Sequence, residues 1–368
     1  MIVFPAEYNA RKEAVFAALA GVEGAARRLA FIPVSFRDWP ETAARVDKAL
    51  ARAKRQPKGP LTRWAKRMLI RGQYNWARAH FSRNPDHLAL CWNGLTGSRM
   101  AFMAGARDAG AATLHAELAP LPGRITLDPA GVNAEGSVPP DPEFYRRWAQ
   151  GRDLTGWRDI GAGLVARASR RADVGQGGGA LPDSPFLFCP LQVPDDSQVT
   201  LFSGWCGDMA GFLAALQEAA RHLPQGWHLR LKEHPSAKQT LAPLIQPLLA
   251  EGRVVLDNAT DSFAQVAASR GIVTLNSSMG VQAFFHDKPV ITLGRAFFNL
   301  AGLLNHAESR NDLNMLFARP ETLTYDASLR AAFLTWLDRE YYVRFDEKGG
   351  TTDTEALRAR LAVARRCR

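Results

Sequence analysis

Ile272-Val-Thr-Leu-Asn-Ser-Ser-Met-Gly-Val-Gln-Ala-Phe-Phe-His-Asp-Lys-Pro-Val-Ile-Thr-Leu-Gly294 runs apolar and β-branched through Leu275, turns at Asn276-Ser277-Ser278, takes on helical spacing, and returns to a β-branched run. Strand, turn, helix and strand in that order are one step of a parallel α/β sheet. About forty residues earlier, Leu229-Arg-Leu-Lys-Glu-His-Pro235 ends another strand on Lys232 and His234. Pro235 holds His234 extended, and residues two apart share a strand face. Serine hydroxyls and free N–H groups at a helix start can receive phosphate. Lys232, His234, Asn276, Ser277 and Ser278 therefore read as a nucleotide-phosphate pocket, although a serine there also serves as a plain helix cap.

Outward from this stretch, strands and helices alternate through both halves. Strands are expected at Met1–Pro5, Arg28–Ser35, His87–Asn93, Ala112–Glu117 and Arg124–Asp128, then at Phe186–Gln192, His228–Glu233, Arg253–Asp257, Gly271–Leu275 and Pro289–Leu293. Asp173-Val-Gly-Gln-Gly-Gly-Gly-Ala-Leu-Pro-Asp-Ser184 reads as a flexible linker. The expected organisation is an α/β chain of two Rossmann-like domains, 1–172 and 185–345, joined by 173–184 and followed by a basic helix in 346–368. Ligands of doubly wound sheets sit at the carboxyl ends of the strands, so a cleft between facing domains is expected. GxGxxG after the first strand and GxxxxGK[ST] are absent from the sequence, which argues against dinucleotide and P-loop sites.

At 368 residues and 46% apolar composition the chain can bury large cores. Cys91, Cys189, Cys206 and Cys367 have no CxxC spacing, so neither a zinc site nor a disulfide framework is indicated, and a reducing cytoplasm is expected. The N-terminus lacks a charged leader, and no segment approaches about 18 uninterrupted apolar residues. The net charge of +10 is uneven: twelve Lys/Arg against the single acid Asp47 lie between Arg45 and Arg83. There Leu61, Trp64, Met68, Leu69, Tyr74 and Trp76 interleave with Arg63, Lys66, Arg67, Arg71 and Arg78. Such a segment docks on anionic lipid or packs its apolar side on its own domain. No nucleic-acid module accompanies the charge, and nucleic acid is not an expected partner.

After the strand at Phe186, Gln192, Asp196 and Ser197 are placed to meet a sugar or base, or to form an ordinary turn. Asp195-Asp196 is not a spaced DxD pair and no His/Glu cluster completes a metal shell, so no metal or other cofactor is expected. Glu117 and Asp128 end two short strands joined by a Pro/Gly-rich turn. Paired carboxylates are what glycosyl chemistry uses, and surface carboxylates beside such turns are also common.

Trp92-Asn-Gly94, Glu117, Pro120-Leu-Pro-Gly123, Asp128-Pro-Ala-Gly-Val-Asn133, Gln192-Val-Pro-Asp-Asp-Ser197, Lys232-Glu-His-Pro235, Asn276-Ser-Ser278 and Lys288-Pro-Val-Ile-Thr-Leu-Gly-Arg-Ala-Phe-Phe298 together resemble the capsule polysaccharide biosynthesis family of bacterial retaining β-Kdo glycosyltransferases, most of all its single-module initiating type. The resemblance implies a GT-B fold and CMP-Kdo held mainly by the C-terminal domain, with Lys232 and His234 on the CMP phosphate and Ser277 and Ser278 on phosphate or sugar carboxylate. It implies Asp128 as nucleophile, Glu117 as acid/base, and transfer without a metal to phosphatidylglycerol or its lyso form. It also gives Arg63, Trp64, Lys66, Arg67 and Arg71 a docking role on the cytoplasmic face of the inner membrane, beside a chain-extending Kdo transferase and a capsule export complex. The His-Pro and Ser-Ser motifs are shared with bacterial sialyltransferases, so a sialyltransferase-like activity and a non-catalytic assembly or export role are the alternatives. Gln282 stands where relatives often carry Glu, which leaves hydrogen bonding in place of acid chemistry.

Overall fold

A short Pro/Gly turn cannot carry a parallel crossover, which needs a dozen or more residues. The strands on either side of Pro120–Pro122 therefore run antiparallel, and the first sheet is mixed where alternation alone suggests a parallel one. The computed structural model describes residues 1–346 and 353–367. It divides into one unit of Met1–Ala119, Gly123–Val138 and Asp338–Arg368, and a second of Pro120–Pro122 and Pro139–Leu337.

In the first unit the strands are β1 (Ile2–Pro5), β2 (Ala26–Leu29), β3 (Leu88–Trp92), β4 (Ala112–Leu118) and β5 (Arg124–Asp128), with helices α1 (Ala10–Glu23), α2 (Thr42–Ala51), α3 (Pro60–Arg83) and α4 (Gly97–Asp108). The second unit holds β6 (Phe186–Pro190), β7 (His228–Lys232), β8 (Val254–Leu256), β9 (Gly271–Thr274), β10 (Val290–Thr292) and β11 (Asn305–His306). Its helices are α5 (Pro142–Ala149), α6 (Ser197–Phe202), α7 (Met209–Ala220), α8 (Ala242–Leu249), α9 (Ser262–Ala268), α10 (Ser278–Phe284), α11 (Arg310–Ala318) and α12 (Ala327–Trp336). The chain then returns to the first unit as β12 (Tyr342–Arg344) and α13 (Thr354–Arg366).

The first sheet has the order β12-β5-β4-β3-β1-β2, antiparallel at β4–β5 and β5–β12. Leu88-Ala-Leu-Cys-Trp92 is buried throughout, as suits a strand covered on both faces. Leu88, Leu90 and Trp92 meet Val15, Phe16 and Leu19 of α1 and Leu357 and Leu361 of α13. Ala89 and Cys91 meet Phe81 and Phe102 on the other side. The strand expected at Arg28–Ser35 is confined to Ala26–Leu29, at the sheet's edge. The second sheet, β11-β10-β9-β6-β7-β8, is parallel throughout. From β6 the chain winds one way to β7 and β8, then the other way to β9, β10 and β11, so the topological switch lies at β6 and β9.

The structure divides the chain elsewhere than at residues 172 and 345. Residues 139–184 belong to the second unit, and the Gly-rich stretch is pinned there. Gly175 N–H donates to Asn258 O at 2.7 Å and Gly177 N–H to Ala259 O at 2.9 Å. A Cβ on Gly175 would meet Ala259 O at 3.2 Å, so the glycine permits a close backbone approach. The C-terminal helix covers Thr354–Arg366; residues 347–352 and 368 of the segment expected to form it lie outside the described residues.

Candidate functional site

At the carboxyl ends of β6, β7 and β9, where the second sheet's strand order reverses, a cavity is lined by Arg167, Gln176, His234, Ser262, Ser277 and Ser278, with Gln282 at its edge. This is the expected ligand position for such a sheet. Pro235 follows His234, and the Ser236 N–H donates to His234 Nδ1 at 3.0 Å. Nδ1 is thus the acceptor, which leaves the proton of the neutral ring on Nε2 as a donor. Burial, with the Arg167 charge behind it, pushes the His234 pKa down to about 4, so the ring is neutral at pH 7.

Ser277 caps α10, its Oγ accepting from Met279 N–H at 3.2 Å, while Ser278 is exposed on the first turn. The turn is thus a helix cap, and both serines also line the cavity wall. Gln282 Nε2 donates to Pro120 O at 2.9 Å within the same unit, so this side chain positions the Pro-Leu-Pro turn.

Lys232 has a different role from the one its motif suggests. Its ammonium donates to the carbonyls of Gly175, Asn258 and Thr260 at 2.8, 3.0 and 2.6 Å. Lysine has three donors, and all are spent on backbone, so in this conformation none reaches a phosphate. Glu233 is equally structural: it accepts from Arg171 at 2.7 Å and from Asn258 Nδ2 at 3.0 Å, and also from Leu241 N–H. Burial raises its pKa, but these partners together hold it below the ordinary carboxylate value.

Gln192 and Asn276 are likewise turned inward. Gln192 Nε2 donates to Asn276 Oδ1 at 2.9 Å, and Asn276 Nδ2 donates to Gln198 O and Phe202 O at 2.9 and 3.0 Å. They are buried and tie the ends of β6 and β9 together. Asp196 caps α6, accepting from Gln198 N–H at 2.8 Å, with Ser197 behind it as the first helical residue. Of the residues expected to hold the donor, Lys232, His234, Pro235, Ser277 and Ser278 line the cavity; Gln192, Asp196, Ser197 and Asn276 do not.

In the first unit, His115 pairs with Asp128 and Glu117 with Thr126 across β4 and β5, so Glu117 and Asp128 share one sheet face. Glu117 is half-buried and accepts from Trp92 Nε1, Asn93 Nδ2 and Leu118 N–H, each at 3.1 Å. Asp128 is fully buried. Its Oδ1 accepts from Ala130 and Gly131 N–H at 2.8 and 3.2 Å; its Oδ2 accepts from Ser137 N–H, Ser137 Oγ and Tyr341 Oη at 2.7, 2.7 and 2.8 Å. Five donors on two oxygens make Asp128 the organiser of the 129–137 loop.

Helix α3 carries two apolar stripes. Ile70, Tyr74, Ala77 and Phe81 enter the core, whereas Leu61, Trp64 and Leu69 are 75, 60 and 49% exposed. The second stripe is not packed on the helix's own unit. Arg67 pairs with Asp47, Arg71 pairs with Asp38, and Lys66 Nζ donates to Arg55 O; Arg63 is exposed. No described helix is long and apolar enough to cross a membrane.

Residues 179–342 match the family described as capsule polysaccharide biosynthesis protein, a span holding both the His-Pro strand end and the Ser-Ser turn. That match covers a little under half of the chain. Protein FixF of Sinorhizobium fredii is 33% identical over 228 residues, which cover 61% of this chain and 52% of that protein. Capsule polysaccharide export protein KpsS of Escherichia coli is 23% identical over 231 residues, 49% of this chain and 59% of that protein. The chain thus spans about half the length of these relatives. Among solved structures, the β-Kdo 2,7 transferase of Thermosulfurimonas dismutans KpsC aligns with a TM-score of 0.55 at 12% identity, over 99% of this chain and 98% of that one. The fold is that of the GT-B glycosyltransferases.

Arg167, Arg171, Gln176 and Ser262 are not among the residues expected at this site from the sequence. Arg171 holds Glu233, and Gln176 accepts from Ser262 N–H at 2.9 Å. The one available signal was the basic run Arg167-Ala-Ser-Arg-Arg171 just before the glycines.

Proposed function

We propose that the chain is a retaining β-Kdo glycosyltransferase that takes CMP-Kdo as donor and adds Kdo to phosphatidylglycerol or its lyso form, starting the lipid linker of a capsular polysaccharide. The observation that supports this most is the second-unit cavity, where a neutral His234 donating from Nε2, the Arg167 guanidinium and two serines surround space at the switch point. Such donors suit a nucleotide phosphate and a sugar carboxylate, and they stabilise CMP as it departs. No resident metal is part of the proposal.

In the proposed reaction an Asp128 carboxylate oxygen attacks Kdo C2 and the bond from C2 to the phosphate oxygen breaks, CMP leaving with the electron pair. The acceptor hydroxyl oxygen then attacks C2 while Glu117 takes its proton, and the Asp128 ester bond breaks. Two inversions give retention. The exposed face of α3, with Arg63, Trp64, Lys66, Arg67 and Arg71, supports docking on anionic lipid at the cytoplasmic side of the inner membrane. The chain-extending transferase and export complex are proposed neighbours.

The purified chain, given phosphatidylglycerol vesicles and CMP-Kdo, is expected to release CMP and lipid-linked Kdo. Release from CMP-sialic acid instead would move the donor assignment, and turnover of neither would favour a non-catalytic role.

Donor affinity should also depend on pH. A bound phosphate raises the His234 pKa from its free value of about 4, so binding takes up a proton and tightens as pH falls. Calorimetry of CMP at pH 7.5 and 5.5 should show tighter binding at the lower pH in the wild type and a flatter profile in His234→Asn. The same depressed pKa acts on stability in the opposite sense. An unfolded histidine protonates near 6.5, so this group's contribution is present above 6.5 and is lost as pH falls toward 4.

A further inference from the structure

His115 is a buried titratable side chain of the first unit with no part in the proposed reaction. It stands on β4 opposite Asp128 of β5 and is 2% exposed. Its Nδ1 lies 2.8 Å from Asn93 O, and a carbonyl only accepts, so Nδ1 carries the proton. Nε2 is then a lone pair, and it faces Arg107 Nη2 at 3.4 Å, where the guanidinium donates. Burial, aided by the Arg107 charge and opposed by the Asn93 carbonyl, pushes the His115 pKa down to about 4, so the ring is neutral at pH 7.

Both ends of this contact reach a proposed catalytic carboxylate. Asn93 holds Glu117 through Nδ2 at 3.1 Å and accepts from the Leu95 N–H at Oδ1, 3.2 Å away. Its φ is +61°, a conformation that asparagine tolerates, and the His115 proton fixes the carbonyl it presents. A Cβ on Gly94, the next residue, would lie 2.6 Å from His115 Nδ1, so the imidazole packs directly on this turn. At the other end, Arg107 Nη2 has a second proton and donates it to Ala130 O at 3.1 Å. The Ala130 N–H is one of the five donors on Asp128. Thr113, two residues before His115 on β4, adds a hydrogen bond from Oγ1 to Pro129 O at 2.8 Å.

We infer that His115 and Arg107 are positioning residues, a single bracket from β4 and α4 that ties the turn holding Glu117 to the loop holding Asp128. This rests on the roles given to those two carboxylates in the proposed function and adds how their supports are joined. Two carboxylates acting in turn on one carbon need a fixed separation, and a displacement of about 1 Å can cost a hundredfold in rate.

The test combines turnover with hydrogen exchange in the full chain. His115→Leu fills similar volume and removes both hydrogen bonds, whereas His115→Gln can donate to Asn93 O and accept from Arg107. Arg107 is exposed on the last turn of α4, so Arg107→Met removes the far half of the bracket with little cost to folding. With CMP-Kdo and phosphatidylglycerol vesicles, kcat is expected to fall roughly ten- to a hundredfold in His115→Leu, with KM for CMP-Kdo and calorimetric CMP affinity held. His115→Gln should recover most of the loss. Exchange followed by mass spectrometry separates the two ends: Arg107→Met should speed exchange at Ala130, Gly131 and Ser137 and leave Leu95 as in wild type, whereas His115→Leu should speed both. Wild-type kcat in both His115→Leu and Arg107→Met overturns the inference, whatever exchange shows. So does an equal loss of kcat in His115→Gln, or a loss of CMP affinity matching that of kcat, since either marks general destabilisation. CMP release by none of the proteins, wild type included, rejects the donor reading; exchange then decides the bracket, with the pattern above supporting it and unchanged rates overturning it.

Discussion

Lys232→Met is expected to cost the second unit stability and to leave nucleotide affinity nearly unchanged among molecules that remain folded. The Lys232 ammonium joins three pieces of backbone, at Gly175, Asn258 and Thr260. Methionine fills similar volume and supplies no donor, so up to three carbonyls lose a partner. Each buried unpaired group costs about 1–3 kcal/mol. Water reaching one of them offsets part of this, which puts the loss on the order of 3–5 kcal/mol, typical of a broken buried charge site. Burial pushes the Lys232 pKa down, while Asp257 and Asp261 oppose the shift; the group is held by hydrogen bonds as well as by charge. Urea unfolding followed by tryptophan fluorescence should show an earlier midpoint. Arg167→Gln gives the contrasting pattern, a normal midpoint with CMP binding about tenfold weaker. An unchanged midpoint and a tenfold loss of CMP affinity in Lys232→Met would return the lysine to the phosphate.

That contrast marks how much of the site the sequence carries. The second sheet is legible because β6 reads as an apolar run, β9 and β10 as β-branched runs and β7 as an alternating one, and all four fall inside the expected stretches. The position of the cavity follows from strand order. Which polar side chain at a strand end faces it does not follow, because Lys232 and His234 share a face by alternation and differ in what stands opposite. Three carbonyls from residues 175–260 decide the fate of Lys232, and these come together only in the tertiary fold. Gln192 and Asn276 stand at strand ends, where a polar residue is expected to face the donor, and they are each other's partners, 84 residues apart. In the first unit the same limit conceals β12: a three-residue strand carries little periodicity, and its pairing partner β5 lies more than two hundred residues earlier. The glycines of 173–184 show the converse case, where a composition that reads as flexibility permits tight backbone contact.

Asp128→Ala is expected to abolish activity and to unsettle the first unit as well, so loss of activity in that variant carries little mechanistic weight. The carboxylate receives five hydrogen bonds from the 130–137 loop and Tyr341. Removing it leaves several buried donors unpaired, again on the order of 3–5 kcal/mol. Asp128→Asn separates shape from charge. Its amide oxygen can keep the Ala130 and Gly131 N–H groups, and its NH2 can donate to the Ser137 and Tyr341 hydroxyls, which leaves the Ser137 N–H without an acceptor. The Ser137 N–H left without an acceptor costs about 1–3 kcal/mol, and the two hydroxyl protons turn to other acceptors, so this variant should lose less than the alanine, fold, and lack the proposed nucleophile. Tyr341→Phe tests the other side of the balance. Burial, followed by the Asp128 charge, pushes the Tyr341 pKa well above its ordinary value, so the hydroxyl remains a donor to Oδ2. Deleting that donor costs about 1.5–3 kcal/mol for a bond to a charged group and leaves Oδ2 less encumbered for attack. Intact-protein mass spectrometry after exposure to CMP-Kdo should therefore give a Kdo-sized adduct on wild type and on Tyr341→Phe, and none on folded Asp128→Asn. An adduct that survives in Asp128→Asn would make another group the nucleophile and confine Asp128 to holding its loop.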